Sequence, residues 1–120
     1  MRKSMEKAAI VIGVNKVGDL PVLAACQSAN EFAKWAAAQG FGCRVLTDEK
    51  RTVTIQRIQT EIAKVVRAGC RQLIIYFSGH GIFRGPNYEQ WLLSGAPGSG
   101  REPRLAAYFC AWIPAVRVIG

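Results

Sequence analysis

Two patterns of apolar residues alternate along the first two thirds of the chain. Residues 8–14 (AAIVIGV) are an unbroken apolar run, as in a strand buried on both faces. Val22, Ala25, Ala29, Phe32 and Ala36 follow at spacings of 3, 4, 3 and 4, which predicts one face of a helix. Gly40 is placed to end it. Residues 43–46 read as a second short strand, closed by the polar Asp48-Glu49-Lys50. Ile55, Ile58, Ile62 and Val65 repeat the helical spacing, with Thr52 or Thr54 as the N-cap and Gly69 at the C-terminal side. Residues 73–77 (LIIYF) make a third strand.

The order strand, helix, strand, helix, strand predicts right-handed crossovers and an α/β three-layer sandwich with a parallel sheet. After residue 80 the pattern weakens. Gly85-Pro86-Asn87 reads as a turn, residues 89–94 (EQWLLS) as a short strand or hairpin arm, and residues 95–103 as loop. The end, RLAAYFCAWIPAVRVIG, is apolar without a clean period, and Pro114 interrupts it. The expected division is therefore a patterned domain over residues 1–97 and an atypical tail over 98–120. In sheets of this kind the ligand site lies beyond the carboxyl ends of the strands. Ser78-Gly79-His80-Gly81, at the end of the third strand, occupies that position.

Composition narrows the function classes. A chain of 120 residues is one domain at most and can bury a core without disulfides or metal. No apolar run approaches the roughly 18 residues that a membrane span needs. The start, MRKSMEKAAIVIGV, reads as a basic tail leading into a strand, with no small-residue cleavage site after it, so a cytoplasmic location is expected. Cys26, Cys43, Cys70 and Cys110 contain no CxxC pair, and with a single histidine no metal is expected. Free, mostly buried thiols are. The net charge of +8 comes from basic residues scattered over the solvent faces of the helix patterns, such as Lys34, Arg57, Lys64 and Arg67. They are not interleaved with aromatics, so no nucleic acid is expected as a partner. Gly13-Val-Asn-Lys-Val-Gly18 matches neither a dinucleotide fingerprint nor a phosphate loop. No cofactor is expected, and Gly13 reads as a glycine of close packing.

His80 is the one histidine of the chain. Glycines on both sides permit a tight backbone and close substrate approach. The N–H of Gly81 can point at a developing oxyanion. An imidazole can take a proton from a thiol or hydroxyl at neutral pH. These pieces, with their neighbours, resemble a family. Residues 8–97 are similar to the front half of a caspase-like domain, the fold of caspases, metacaspases and paracaspases. AIVIGVN resembles its first strand, LPVLAACQSANEFAKWAAAQGF its first helix, and CRVLTDE its second strand. VTIQRIQTEIAKVV resembles its second helix, and LIIYFSGHG its third strand with the histidine motif. EQWLLSGAP resembles a segment that follows that motif in bacterial members. The resemblance implies cysteine-type endopeptidase activity, in which a Cys–His dyad hydrolyses a polypeptide substrate through an acyl-enzyme on the cysteine. It makes His80 the general base and the Gly81 N–H an oxyanion donor.

The chain also departs from the family pattern. The family nucleophile lies roughly 50 residues after the histidine, at the end of a fourth strand. Counted from His80, that place is past residue 120, and the one later cysteine is Cys110, 30 residues on. A parallel crossover needs about a dozen or more residues, yet residues 85–104 read as turn, hairpin arm and loop. Cys110 is thus the candidate nucleophile within the chain, against its spacing. Cys26, Cys43 and Cys70 read as small buried apolar residues. The Asp that metacaspase-like members carry in the first helix corresponds to Ala29, and the Arg that caspases carry after the first strand falls at Asn15-Lys16, so no preference for a cleaved residue is implied. The expected picture is a truncated caspase-like domain, inactive or incomplete alone. The alternative is a non-catalytic protein-interaction or regulatory module on the same scaffold. In the truncated domain residues 73–77 would form an apolar edge open to self-association, unless residues 105–112 cover it.

Overall fold

The computed structural model describes residues 6–85, 88–94, 108–111 and 116–119. Its central strand is β1 (Lys7–Gly13), followed by α1 (Ala25–Ala38), β2 (Gly42–Thr47), α2 (Ile55–Arg67) and β3 (Gln72–Ser78). β1 pairs in parallel with β2 on one side and β3 on the other. Residues 8–14 are fully buried, as the continuous apolar run predicts. Alternate residues face opposite layers. Ala8, Ile10 and Ile12 pack with Ile58 and Val65 of α2. Ala9 and Val11 pack with Ala29 and Ala36 of α1. The helices therefore lie on opposite faces of the sheet, which gives the compact α/β sandwich its three layers.

Small residues let α1 approach β1 closely. A Cβ on Gly13 would lie 2.9 Å from Ala29 Cβ and 3.0 Å from Ala25 O. Gly13 is thus a packing glycine, as its sequence context predicts. Helix α1 begins at Ala25 rather than Val22, which stands 70% exposed outside it. Local periodicity mistook an exposed loop valine for part of the buried face. Gly40 and Gly69 end the two helices with φ of +91° and +86°, a backbone shape that L side chains rarely adopt. Thr54 caps α2, its side chain accepting from Arg57 N at 3.1 Å.

The chain beyond His80 builds more structure than its weak pattern predicts. β4 (Gly81–Gly85) and β5 (Tyr88–Leu92) form an antiparallel hairpin, so the segment 89–94 is a hairpin arm. β6 (Tyr108–Ala111) adds to β5, completing a three-stranded sheet. Trp91, Leu92 and Leu93 are buried in the same core as Ile12, Leu46 and Val53. Ser94 fastens this hairpin to the chain before α2: its N–H donates to Val53 O, and its Oγ accepts from Val53 N at 2.8 Å.

Two expectations about the tail need correcting. The main sheet is not wholly parallel, because β7 (Val116–Ile119) pairs antiparallel with β3. It is this strand, not residues 105–112, that covers the far edge of β3. Residues 73–76 are paired on both sides, which closes most of the open edge expected for self-association. Residues 108–111 join the second sheet instead. The turn at Pro86-Asn87, the loop at 95–103 and the break at Pro114 lie outside the described residues.

Candidate active site at the carboxyl ends of the strands

The strand order β2-β1-β3 places a topological switch point between β1 and β3. The chain leaves β1 towards α1, on the face opposite α2, and the loops after β1 and β3 start side by side at that point. Val14 N donates to Ser78 O at 3.0 Å, so the two strand ends stay paired up to the loops. Gly79 then turns the chain against the core. A Cβ there would meet Phe77 Cζ at 2.7 Å and Val14 O at 3.2 Å. The Phe77 ring is itself stacked on Trp91, with centroids 4.6 Å apart, so it has little freedom to yield.

His80 follows, half-buried, and its Nε2 lies 2.8 Å from the Pro21 carbonyl oxygen. A carbonyl oxygen only accepts. Nε2 therefore carries the proton of the neutral ring, and Nδ1 keeps its lone pair. The His80 carbonyl accepts from Leu92 N at 3.0 Å, which ties the histidine to the hairpin as well. With that bond made, Gly81 and Trp91 face each other as a non-hydrogen-bonded pair of the antiparallel ladder. The Gly81 N–H then points away from β5, at the exposed outer edge of β4.

A second group of polar residues sits at the same end of the sheet. Asp48, directly after β2, accepts from Asn15 N at 2.9 Å, Lys16 N at 3.0 Å and the Cys26 thiol at 3.1 Å. Asn15 Oδ1 in turn accepts from Cys26 N at 2.8 Å. This supplies α1 with the cap that its own N-cap residue, Ala24, lacks. Burial first, and then the Asp48 carboxylate, push the Cys26 thiol up to about 11. Cys26 is thus a buried hydrogen-bond donor rather than a plain apolar filler, and it stays protonated at neutral pH. Its place at the site end was legible: the second residue of a helix that follows β1 must lie near the carboxyl end of β1.

The other thiols are elsewhere. Cys43 pairs with Ala9 near the amino end of β2, with its Sγ 3.5 Å from Ala33 O, and burial raises its pKa too. Cys70 precedes β3 and packs against the core from that same end. Cys110 stands opposite Gln90, which stands opposite Ile82. Its backbone is therefore two strand spacings, roughly 10 Å, from β4, in the second sheet rather than at the end of a fourth parallel strand. Its thiol lies outside the described set. Among the described residues, no three His, Cys, Asp or Glu side chains gather as a metal site. No described helix is long and apolar enough to cross a membrane.

These features define a compact α/β domain with its single imidazole fixed at the switch point of the sheet. No family model, curated protein or solved structure matches the chain.

Proposed function

We propose that this chain is a caspase-like domain and that His80 is the general base of a cysteine-type peptide hydrolase. The observation that carries the reading is the 2.8 Å contact between His80 Nε2 and Pro21 O. Catalytic imidazoles are held by a group on one ring nitrogen so that the other can work as a base. Pro21 is that group here, and Nδ1 is the working atom.

The chemistry that follows is acyl transfer. Nδ1 takes the proton of an attacking thiol, and the thiolate sulfur bonds to the scissile carbonyl carbon. The Gly81 N–H donates to the oxygen that becomes negative. The imidazolium then gives its proton to the leaving amine. A water, deprotonated by Nδ1, then attacks the acyl carbon, the carbon–sulfur bond breaks to release the acid, and the imidazolium returns its proton to the thiolate. Cys26 stays a thiol, and Cys43 and Cys70 lie at the wrong end of the sheet. Cys110 is therefore the thiol to test. Without a thiol in reach, turnover would fall by a factor on the order of 10⁶, as when a catalytic Ser or His is removed from a protease.

A second reading is a non-catalytic protein-interaction module on the same scaffold. The hydrogen-bonded, high-pKa state of Cys26, the cysteine at the site end, favours it. Alkylation with iodoacetamide at neutral pH, read cysteine by cysteine by mass spectrometry beside a peptide-hydrolysis assay, separates the two. Selective labelling of Cys110 that disappears in His80→Ala supports the dyad. Uniformly slow labelling of all four thiols, with no hydrolysis, overturns it in favour of the module.

A further inference from the structure

We infer that Asn15 is a positioning residue for His80, acting through the Pro21 carbonyl. The inference rests on the reading of His80 as a base held by Pro21. The segment from Asn15 to Cys26 is a loop closed on one residue. At its start, the Asn15 N–H donates to Asp48 Oδ1 at 2.9 Å, which fastens it to the end of β2. At its finish, Leu23 N donates to the Asn15 carbonyl at 2.9 Å and Cys26 N to Asn15 Oδ1 at 2.8 Å. The backbone N–H, the carbonyl and the side-chain Oδ1 of Asn15 thus join the two ends of the loop to each other and to the sheet.

Pro21 lies inside this closed loop. Its position is further set by a turn in which Leu20 N donates to Val17 O at 3.0 Å, with Val17 fully buried below. The oxygen that accepts from His80 is therefore placed by a backbone that Asn15 closes. An alanine at position 15 removes the Oδ1 acceptor, frees the Cys26 N–H and loosens the end of the loop nearest Pro21. An aspartate keeps an acceptor oxygen there, favoured by the helix N-terminus and opposed by the neighbouring Asp48 carboxylate, so the rescue it gives is partial.

With one histidine in the chain, imidazole signals need no assignment. The test is ¹⁵N-resolved NMR of the ring, following exchange of the Nε2 proton with water. In the unsubstituted protein that proton is expected to be protected. Asn15→Ala should speed its exchange about tenfold, the order expected for loss of one hydrogen bond, while the β1 and β3 amides keep their protection. Asn15→Asp should restore part of the protection, which a merely structural role for the side chain would not predict for the ring alone. Unchanged exchange in a folded Asn15→Ala overturns the role of Asn15 and leaves the reading of His80 standing. An unprotected Nε2 proton in the unsubstituted protein overturns that reading itself. If Asn15→Ala does not fold, Asp48→Asn, which weakens the other end of the same clamp, is measured in its place. Faster ring exchange there supports the inference, and unchanged exchange overturns it.

Discussion

The Cys26 thiol donates to Asp48 Oδ1 across 3.1 Å, joining the first turn of α1 to the residue that follows β2. Burial by itself would raise the Asp48 pKa, but bonds from Asn15 N, the Cys26 thiol and Lys16 N outweigh it and hold the carboxyl below its usual value. A folded pKa below the unfolded one means that the stabilisation is complete above about pH 4. It is lost as pH falls through the folded value. Asp48→Ala should lower stability at neutral pH by about 2 kcal/mol, as expected for hydrogen bonds to a charged acceptor. It should also flatten the acid limb of a Tm-against-pH curve. An acid limb as steep as in the unsubstituted protein would contradict this account.

The alkaline limb tests the other partner. Because the Cys26 thiol is pushed up to about 11 in the folded chain, its ionisation first stabilises the unfolded state. That contribution to stability is complete below the unfolded thiol value of about 8.5. It declines as pH rises from there through the folded value. Cys26→Ser keeps a donor for Asp48 and removes this titration. Its Tm should fall less between pH 8 and 10 than that of the parent, as followed by circular dichroism.

Gly79→Ala should destabilise the fold by about 2 kcal/mol, within the usual range for overpacking a tight site. The added methyl meets Phe77 Cζ at 2.7 Å, and the Phe77 ring is held by its stack on Trp91. Urea unfolding measures the change. A cost below about 0.5 kcal/mol would mean that the ring yields freely.

Thr54→Ala removes the side-chain acceptor of Arg57 N at the start of α2 and should cost about 1 kcal/mol. Thr54→Ser keeps the hydroxyl and should lie much closer to the parent. Equal losses for both in urea unfolding would exclude the cap as the cause.

The pattern of the chain gave a correct account of β1, α2, β3 and the packing role of Gly13, because each depends on contacts that apolar period and glycine placement encode locally. The start of α1 differs from its periodicity for the opposite reason: its cap is Asn15, which precedes the helix by most of a loop. His80 and Pro21 are 59 residues apart, so nothing local in either predicts their bond. The placement of His80 at a strand end was legible from the LIIYF run ahead of SGHG. Residues 105–112 and 116–119 are similarly apolar, and pairing with β3 is made by backbone groups common to every residue. Composition therefore could not say which segment covers that edge. Asp48 reads locally as part of a polar turn, but its position directly after a strand marks it as a residue of the site end.

Trp91, Leu92 and Leu93 close the core from the same end as the histidine, and Ser94 ties them to Val53 across 41 residues. During synthesis the chain up to His80 emerges with its three parallel strands and two helices already available to pair. The ring stack on Phe77 and the bond to the His80 carbonyl must wait for residues 91 and 92. The protein thus acquires the three parallel strands of its sheet before its site, and β7 after both. A pause between Gly81 and Tyr88 would leave the three parallel strands and two helices without the strand that covers β3, and the one imidazole of the chain without its bond to the hairpin.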